Sequence, residues 1–258
     1  MHRPLQNESE PDYVTVFSHF ATRLTIALEA FLFPPACLLC GESQNFVESR
    51  VCGDCSDSLG YVEANGCPRC GCPGELNVAK CYNCGGKAFI FRRVVVGFSF
   101  EEGVQRLLRD LKYRNRTAVV KTLAGGLIRR LRGIGIEQRG PREIVPILLH
   151  SSRQRERGYN QSELIARELS RSGFGRLSTN LVVRIRATSS QTALDTQERL
   201  ENVEGAFSVK GSVEDKHIWL VDDVVTTGAT VNACAEALLV AGASSGDVMA
   251  VACPYGED

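Results

Sequence analysis

Residues 218–230, IWLVDDVVTTGAT, constrain the fold more than any other stretch, because an apolar run ends in two carboxylates and then opens into a Thr/Gly loop. Continuous hydrophobicity over Ile218, Trp219, Leu220 and Val221 is the pattern of a strand buried in a parallel sheet with helices on both faces. The strand is expected to stop at Asp222. Beyond it, Thr226, Thr227, Gly228, Ala229 and Thr230 supply small side chains, three hydroxyls and a glycine that permits close backbone approach. A helix over 229–241 then presents its unpaired N-terminal amides to the same place. Amides, hydroxyls and helix dipole together make an anion cradle suited to a 5′-phosphate.

Asp222 and Asp223, one loop away, can accept hydrogen bonds from the two hydroxyls of a ribose, their like charge offset by a Mg²⁺ held on pyrophosphate. Sugar, phosphate and pyrophosphate together describe phosphoribosyl pyrophosphate (PRPP). The stretch resembles the PRPP-binding signature of type I phosphoribosyltransferases, and it falls at the sheet end where open α/β folds bind ligands.

Eight of the 11 cysteines form CxxC pairs: Cys37/Cys40, Cys52/Cys55, Cys67/Cys70 and Cys81/Cys84. The first two pairs enclose 11 residues and the last two enclose 10, loops that suit a small zinc ribbon. Two structural Zn²⁺ ions are expected, one on each adjacent set of four, with an interleaved pairing, disulfides or a rubredoxin-like iron site as the alternatives and Cys72 as a spare thiol able to replace Cys70. The segment is too poor in apolar residues to hold itself together, so metal binding is what should fold it. Cys234 and Cys253 read as core residues. No secretory signal or uncharged membrane-length run is evident, since His19, Arg23 and Glu29 interrupt the apolar stretch near the start. The expected compartment is cytoplasmic, with the cysteines reduced or metal-bound.

At 258 residues and 43% hydrophobic content the chain can bury one core and carry a smaller module. The expected division is an N-terminal segment with an amphipathic helix over 1–33, a double zinc ribbon over 34–90 and an α/β domain over 91–258. Formal charge is zero overall, yet residues 92–176 hold 19 basic against 8 acidic side chains. A basic middle in a neutral protein suggests a surface for a polyanion. Helices are predicted over 103–112, 117–131 and 162–170, and strands over 94–100, 144–149, 181–185 and 247–253. The loop HSSRQRERGYNQ then stands at a second strand end, where Arg153, Arg155 and Arg157 can meet a pyrophosphate. Alternation along an extended chain would separate Arg155 from the other two. The polar run 186–207 has the character of a lid.

Taken in order, the cysteine-rich start after FPPAC, LKYRNR, HSSRQRERGYNQSELIA, QTALDTQERLENVEGAF and VDDVVTTGAT resemble the ComF (competence protein F) family. The resemblance implies a double zinc ribbon followed by a type I phosphoribosyltransferase-like parallel sheet with helices on both faces. It further implies PRPP with Mg²⁺ at Asp222, Asp223 and 226–230, the two aspartates being the catalytic candidates. Arg153 and Arg157 take the pyrophosphate side, and Gln191 and Arg199 belong to a closing loop. The biology it implies is DNA uptake in natural competence, with imported single-stranded DNA and DNA-uptake or helicase proteins as partners. Tyr113 or Tyr159 could stack bases, although a core setting is the ordinary one for either. Two other functions fit the same residues: phosphoribosyl transfer to a small acceptor, and a non-catalytic PRPP sensor or adaptor. Thr226 stands where purine salvage enzymes often carry an aspartate base, which argues against purine salvage.

Overall fold

The structure, a computed structural model, describes residues 35–43, 49–62, 66–74, 77, 79, 81–85, 89–136, 142–149, 151–186, 203 and 205–254. The expected N-terminal amphipathic helix, Gln191 and Arg199 lie outside these residues.

One five-stranded sheet runs in the spatial order β1 (Val94–Ser99), β7 (Ser245–Cys253), β6 (His217–Val224), β2 (Arg142–Pro146) and β3 (Arg176–Leu177), every neighbouring pair parallel. Its central strands read as unbroken hydrophobic runs because alternate side chains enter two covered faces. Trp219, Val221, Met249 and Val251 join one core with helices α2 (Glu102–Tyr113), α3 (Val120–Gly133) and α5 (Gln161–Arg171). Ile218, Leu220, Val248 and Ala250 join the other with α6 (Ala229–Val240) and a small antiparallel pair, β4 (Val182–Arg184) and β5 (Phe207–Val209). Helix α3 sits directly on β1: a Cβ on Gly97 would come within 2.8 Å of the Leu127 amide nitrogen, and one on Gly126 would overlap the Phe98 ring.

The two cysteine sets divide between these cores. Cys37 and Cys52 pack with the first, beside the short helix α1 (Gly53–Asp57), whereas Cys67, Cys70, Cys81 and Cys84 pack with the second. Sulfur therefore extends both cores.

Several sequence expectations need correction. Strand β6 does not stop at Asp222 but continues through Asp223 to Val224, its backbone still paired with β7 as far as Ala252. Residues 151–157 form a helix, α4 (Ser151–Arg157), so spacing rather than alternation sorts the arginines. The 181–185 run is a strand, but of the small antiparallel sheet; the main sheet takes the two-residue β3 instead. Cys72 and Cys253 are disulfide-bonded, with Cα atoms 5.5 Å apart, rather than a spare thiol and a plain core residue. The second cysteine set packs against the end of β7, which is what brings Cys72 to Cys253.

Candidate functional site

The carboxyl ends of β2 and β6 open into a cavity of about 370 Å³. Asp222, Asp223, residues 226–230, Arg153 and Arg157 all line it, so distant segments that the sequence singled out do meet. Gly228 takes φ +78° as the residue before α6, a left-handed conformation that glycine adopts without strain. Its position brings the first amides of a 12-residue helix to the cavity wall. Thr227 Oγ1 also accepts from the Ala229 amide at 3.4 Å.

Both aspartates face the cavity, but their partners differ. Asp223 is 6% exposed, accepts from the Val224 amide at 3.0 Å and is ion-paired with Lys112 from the last turn of α2. Burial pulls the Lys112 ammonium down, and the Asp223 carboxylate more than restores it, leaving its pKa raised. Asp222 accepts from Ser162 Oγ at 3.2 Å and from the Asp223 amide at 2.9 Å. Burial first, and then the charge of Asp223, push the Asp222 carboxyl up to about 7. One carboxylate is thus locked to a lysine while its neighbour is poised near neutrality, open to a hydroxyl or a cation.

Helical spacing places Arg153 and Arg157 four residues apart on one face of α4, half-buried at the cavity, with Arg155 exposed on the other side. Neither Arg153 nor Arg157 has a carboxylate partner among the described residues; Glu163, a candidate partner, pairs with Arg167 instead. Arg157 donates to Gln161 Oε1 at 3.2 Å.

Lys112 and Arg184 are cavity residues that sequence reasoning missed. Lys112 follows a regular core stripe in α2, and only its place after Leu111 within LKYRNR set it apart. Arg184 comes from β4, so no local pattern announces it. Burial and then the nearby Arg153 lower its guanidinium pKa, while Asp222 pulls the other way.

The cysteine sets resolve as the adjacent pairing: Cys37, Cys40, Cys52 and Cys55 form one group, and Cys67, Cys70, Cys81 and Cys84 the other, all sulfurs within 4.8 Å in each. Sulfur separations of 3.8 Å (Cys40/Cys52) and 3.6 Å (Cys67/Cys84 and Cys70/Cys81) fit a Zn²⁺ centre. A tetrahedron with Zn–S bonds of about 2.3 Å has edges of about 3.8 Å.

The second set lies close to the 226–230 loop. Arg69, between Cys67 and Cys70, donates to the Phe89 carbonyl at 3.0 Å, and its guanidinium lies 5.7 Å from the Phe89 ring centre. Phe89 in turn covers Gly228, where an added Cβ would come within 2.9 Å of the ring. The Ile90 amide donates to Asn232 Oδ1 of α6 at 2.7 Å.

No helix among the described residues is long and apolar enough to cross a membrane. Residues 28–85 match the model of the double zinc ribbon domain. DNA utilization protein YhgH of Escherichia coli (strain CFT073) is 33% identical over 185 residues, covering 69% of this chain and 80% of that protein. Competence protein F of Haemophilus influenzae is 30% identical over 177 residues, covering 67% and 77%. Among solved structures, L. donovani hypoxanthine-guanine phosphoribosyl transferase superposes at 19% identity and a TM-score of 0.31 over 52% of this chain and 69% of its own, too loosely to bear on the site. The architecture is a double zinc ribbon followed by a five-stranded parallel sheet with helices on both faces. With these identities and coverages, the chain belongs to the ComF (competence protein F) family.

Proposed function

We propose that this protein binds PRPP in the cavity at the ends of β2 and β6 and handles single-stranded DNA during DNA uptake. One observation carries the reading: side chains from α2, α4, β4, β6 and the 226–230 loop, far apart in sequence, converge on a single cavity with acids at its centre and cations around them. In this reading the amides of 226–230 hold the 5′-phosphate. Asp222 accepts from the ribose hydroxyls, and Asp223 stays ion-paired with Lys112 beside it. Arg153 and Arg157 hold the pyrophosphate, whose charge is shared with Mg²⁺ when that ion accompanies PRPP. The two cysteine sets hold two structural Zn²⁺ ions. DNA handling draws on the names of the relatives, DNA utilization protein and competence protein, and on the basic middle of the chain.

Calorimetric titration with PRPP and Mg²⁺ tests the pocket. Saturable heat that disappears in Asp222→Ala/Asp223→Ala supports it, and no heat at millimolar ligand rejects it.

Phosphoribosyl transfer to a small acceptor is a second reading, favoured by one feature: a cavity carboxyl with a pKa near 7 suits proton transfer. Pyrophosphate release across a panel of bases and amines distinguishes transfer from binding alone.

A further inference from the structure

A second concavity, about 580 Å³, adjoins the sugar-phosphate cavity. The two share Lys112, Tyr113, Arg153 and Arg157, and Arg114, Asn115, Tyr159 and one carboxylate, Glu156, extend the outer one. The groove is therefore continuous with the pocket and predominantly cationic.

At its centre stands an aromatic ring outside both apolar cores. Tyr113 ends α2 and is 71% exposed, contrary to the core setting expected for it. The Arg157 guanidinium lies 5.1 Å from its ring centre, leaving most of the side chain accessible. Tyr159 behaves differently: half-buried against the first core, it donates its hydroxyl to the Leu111 carbonyl and so braces the turn beneath Tyr113.

The surrounding cations are held in place. Asp110, almost wholly buried, accepts from Arg114 at 3.0 Å and from Arg116 at 2.9 Å, fixing Arg114 while 57% of its side chain stays exposed. Asn115 at φ +52° turns the chain between the two arginines. Arg153 has no carboxylate partner among the described residues.

An exposed ring, a fixed guanidinium and a guanidinium with no carboxylate partner among the described residues are the elements that recognise a base joined to a phosphate. A duplex hides its base faces in the stack, whereas a single strand offers them. We infer that this groove seats one nucleotide of a single strand, its base stacked on Tyr113 and its phosphates on Arg114 and Arg153, immediately beside the sugar-phosphate pocket. This deepens the proposed function and rests on its single-strand component. Because Arg153 and Arg157 border both compartments, strand and PRPP draw on the same cations.

Fluorescence anisotropy with a short labelled oligothymidylate provides the test, using the full chain, Tyr113→Ala and Tyr113→Phe at low and moderate salt. The expected result is binding that weakens steeply with salt, falls roughly tenfold or more in Tyr113→Ala and stays within about twofold in Tyr113→Phe, because the ring rather than the hydroxyl makes the stack. Thermal unfolding of both variants, matching the parent, shows that the fold is intact. Unchanged affinity in Tyr113→Ala, equal loss in Tyr113→Phe, or equal binding of a hairpin duplex overturns the assignment. So does competition by thymidine monophosphate as strong as that by the unlabelled oligonucleotide, which would mark a free-nucleotide site. A PRPP titration of the parent protein separates the two proposals: heat without Tyr113 dependence sinks only the groove, and Tyr113 dependence without heat sinks only the pocket.

Discussion

Replacing Asp222 with asparagine is expected to stabilise the fold while abolishing PRPP binding. Burial and the adjacent Asp223 charge lift the Asp222 carboxyl from its ordinary 3.8 to about 7. A carboxyl whose pKa is higher folded than unfolded costs nothing below the unfolded value. Its cost grows as pH rises toward 7 and is complete above that. At about 1.4 kcal/mol per pH unit, a rise of this size is about 4 kcal/mol. The amide gives back part of this, since its N–H₂ donors must find partners in place of the acid, the bonds from Ser162 Oγ and the Asp223 amide being already included in the rise. A net gain of about 2 kcal/mol is left at about pH 8. Urea unfolding of parent and variant at about pH 8 and about pH 5 measures it, because at the lower pH most of the parent carboxyl is already protonated and the gain should fall below about 0.5 kcal/mol. Equal differences at the two pH values, or a less stable variant at about pH 8, would refute the reasoning. Stability gained together with PRPP binding lost is the signature of a group kept for function at the expense of the fold.

Lys112→Met leaves Asp223 buried without its cation and should lower stability by about 3 kcal/mol; a double-mutant cycle with Asp223→Asn, measured by urea unfolding, should recover most of that loss. Gly126→Ala drives a Cβ into the buried Phe98 ring and should cost about 2 kcal/mol or more, read as a lower unfolding midpoint with an unchanged urea slope. The Cys72–Cys253 bond closes a sequence separation of 181 residues, which a chain-entropy estimate places at up to about 5 kcal/mol. Alkylation of the unreduced, denatured protein should leave those two cysteines unmodified, and reduction should lower the unfolding temperature. Alkylation of both without reductant removes the bond from the account.

Much of the sheet was legible in the sequence because its strands bury both faces, and a run such as Ile218 to Val221 advertises that directly. The stripes of α2 and α3 were equally plain, with Leu107, Leu111, Leu123 and Leu127 fully buried as their spacing predicts. Strand β3 was not legible, since two residues carry no periodicity. The 151–157 segment misled for a different reason: seven mostly polar residues with no apolar stripe read as a loop, and the helix shows only in the shared face of Arg153 and Arg157. The cavity was half legible. Local motifs revealed the acids, the Thr/Gly loop and the arginines, whereas Lys112 and Arg184 enter it through tertiary placement alone. Likewise CxxC spacing foretold two cysteine tetrads, but nothing in it could say that Cys72 would meet Cys253.

The placement of the second cysteine set explains why a ribbon should precede such a sheet at all. Its knuckle residue Arg69 holds Phe89 by the carbonyl, Phe89 covers Gly228, and Ile90 ties to Asn232 within α6. Asn83, between Cys81 and Cys84, donates to Cys72 Sγ at 3.0 Å, and Tyr82 donates to the Pro254 carbonyl just past β7. The Val225 amide, just before the 226–230 loop, donates to the Ala252 carbonyl of that same strand at 3.0 Å. These contacts brace the loop from the ribbon side and from β7. A glycine at φ +78° has little intrinsic preference to stay where an anion needs it. A metal-ordered knuckle and a covalent link to the neighbouring strand supply that rigidity from outside the loop.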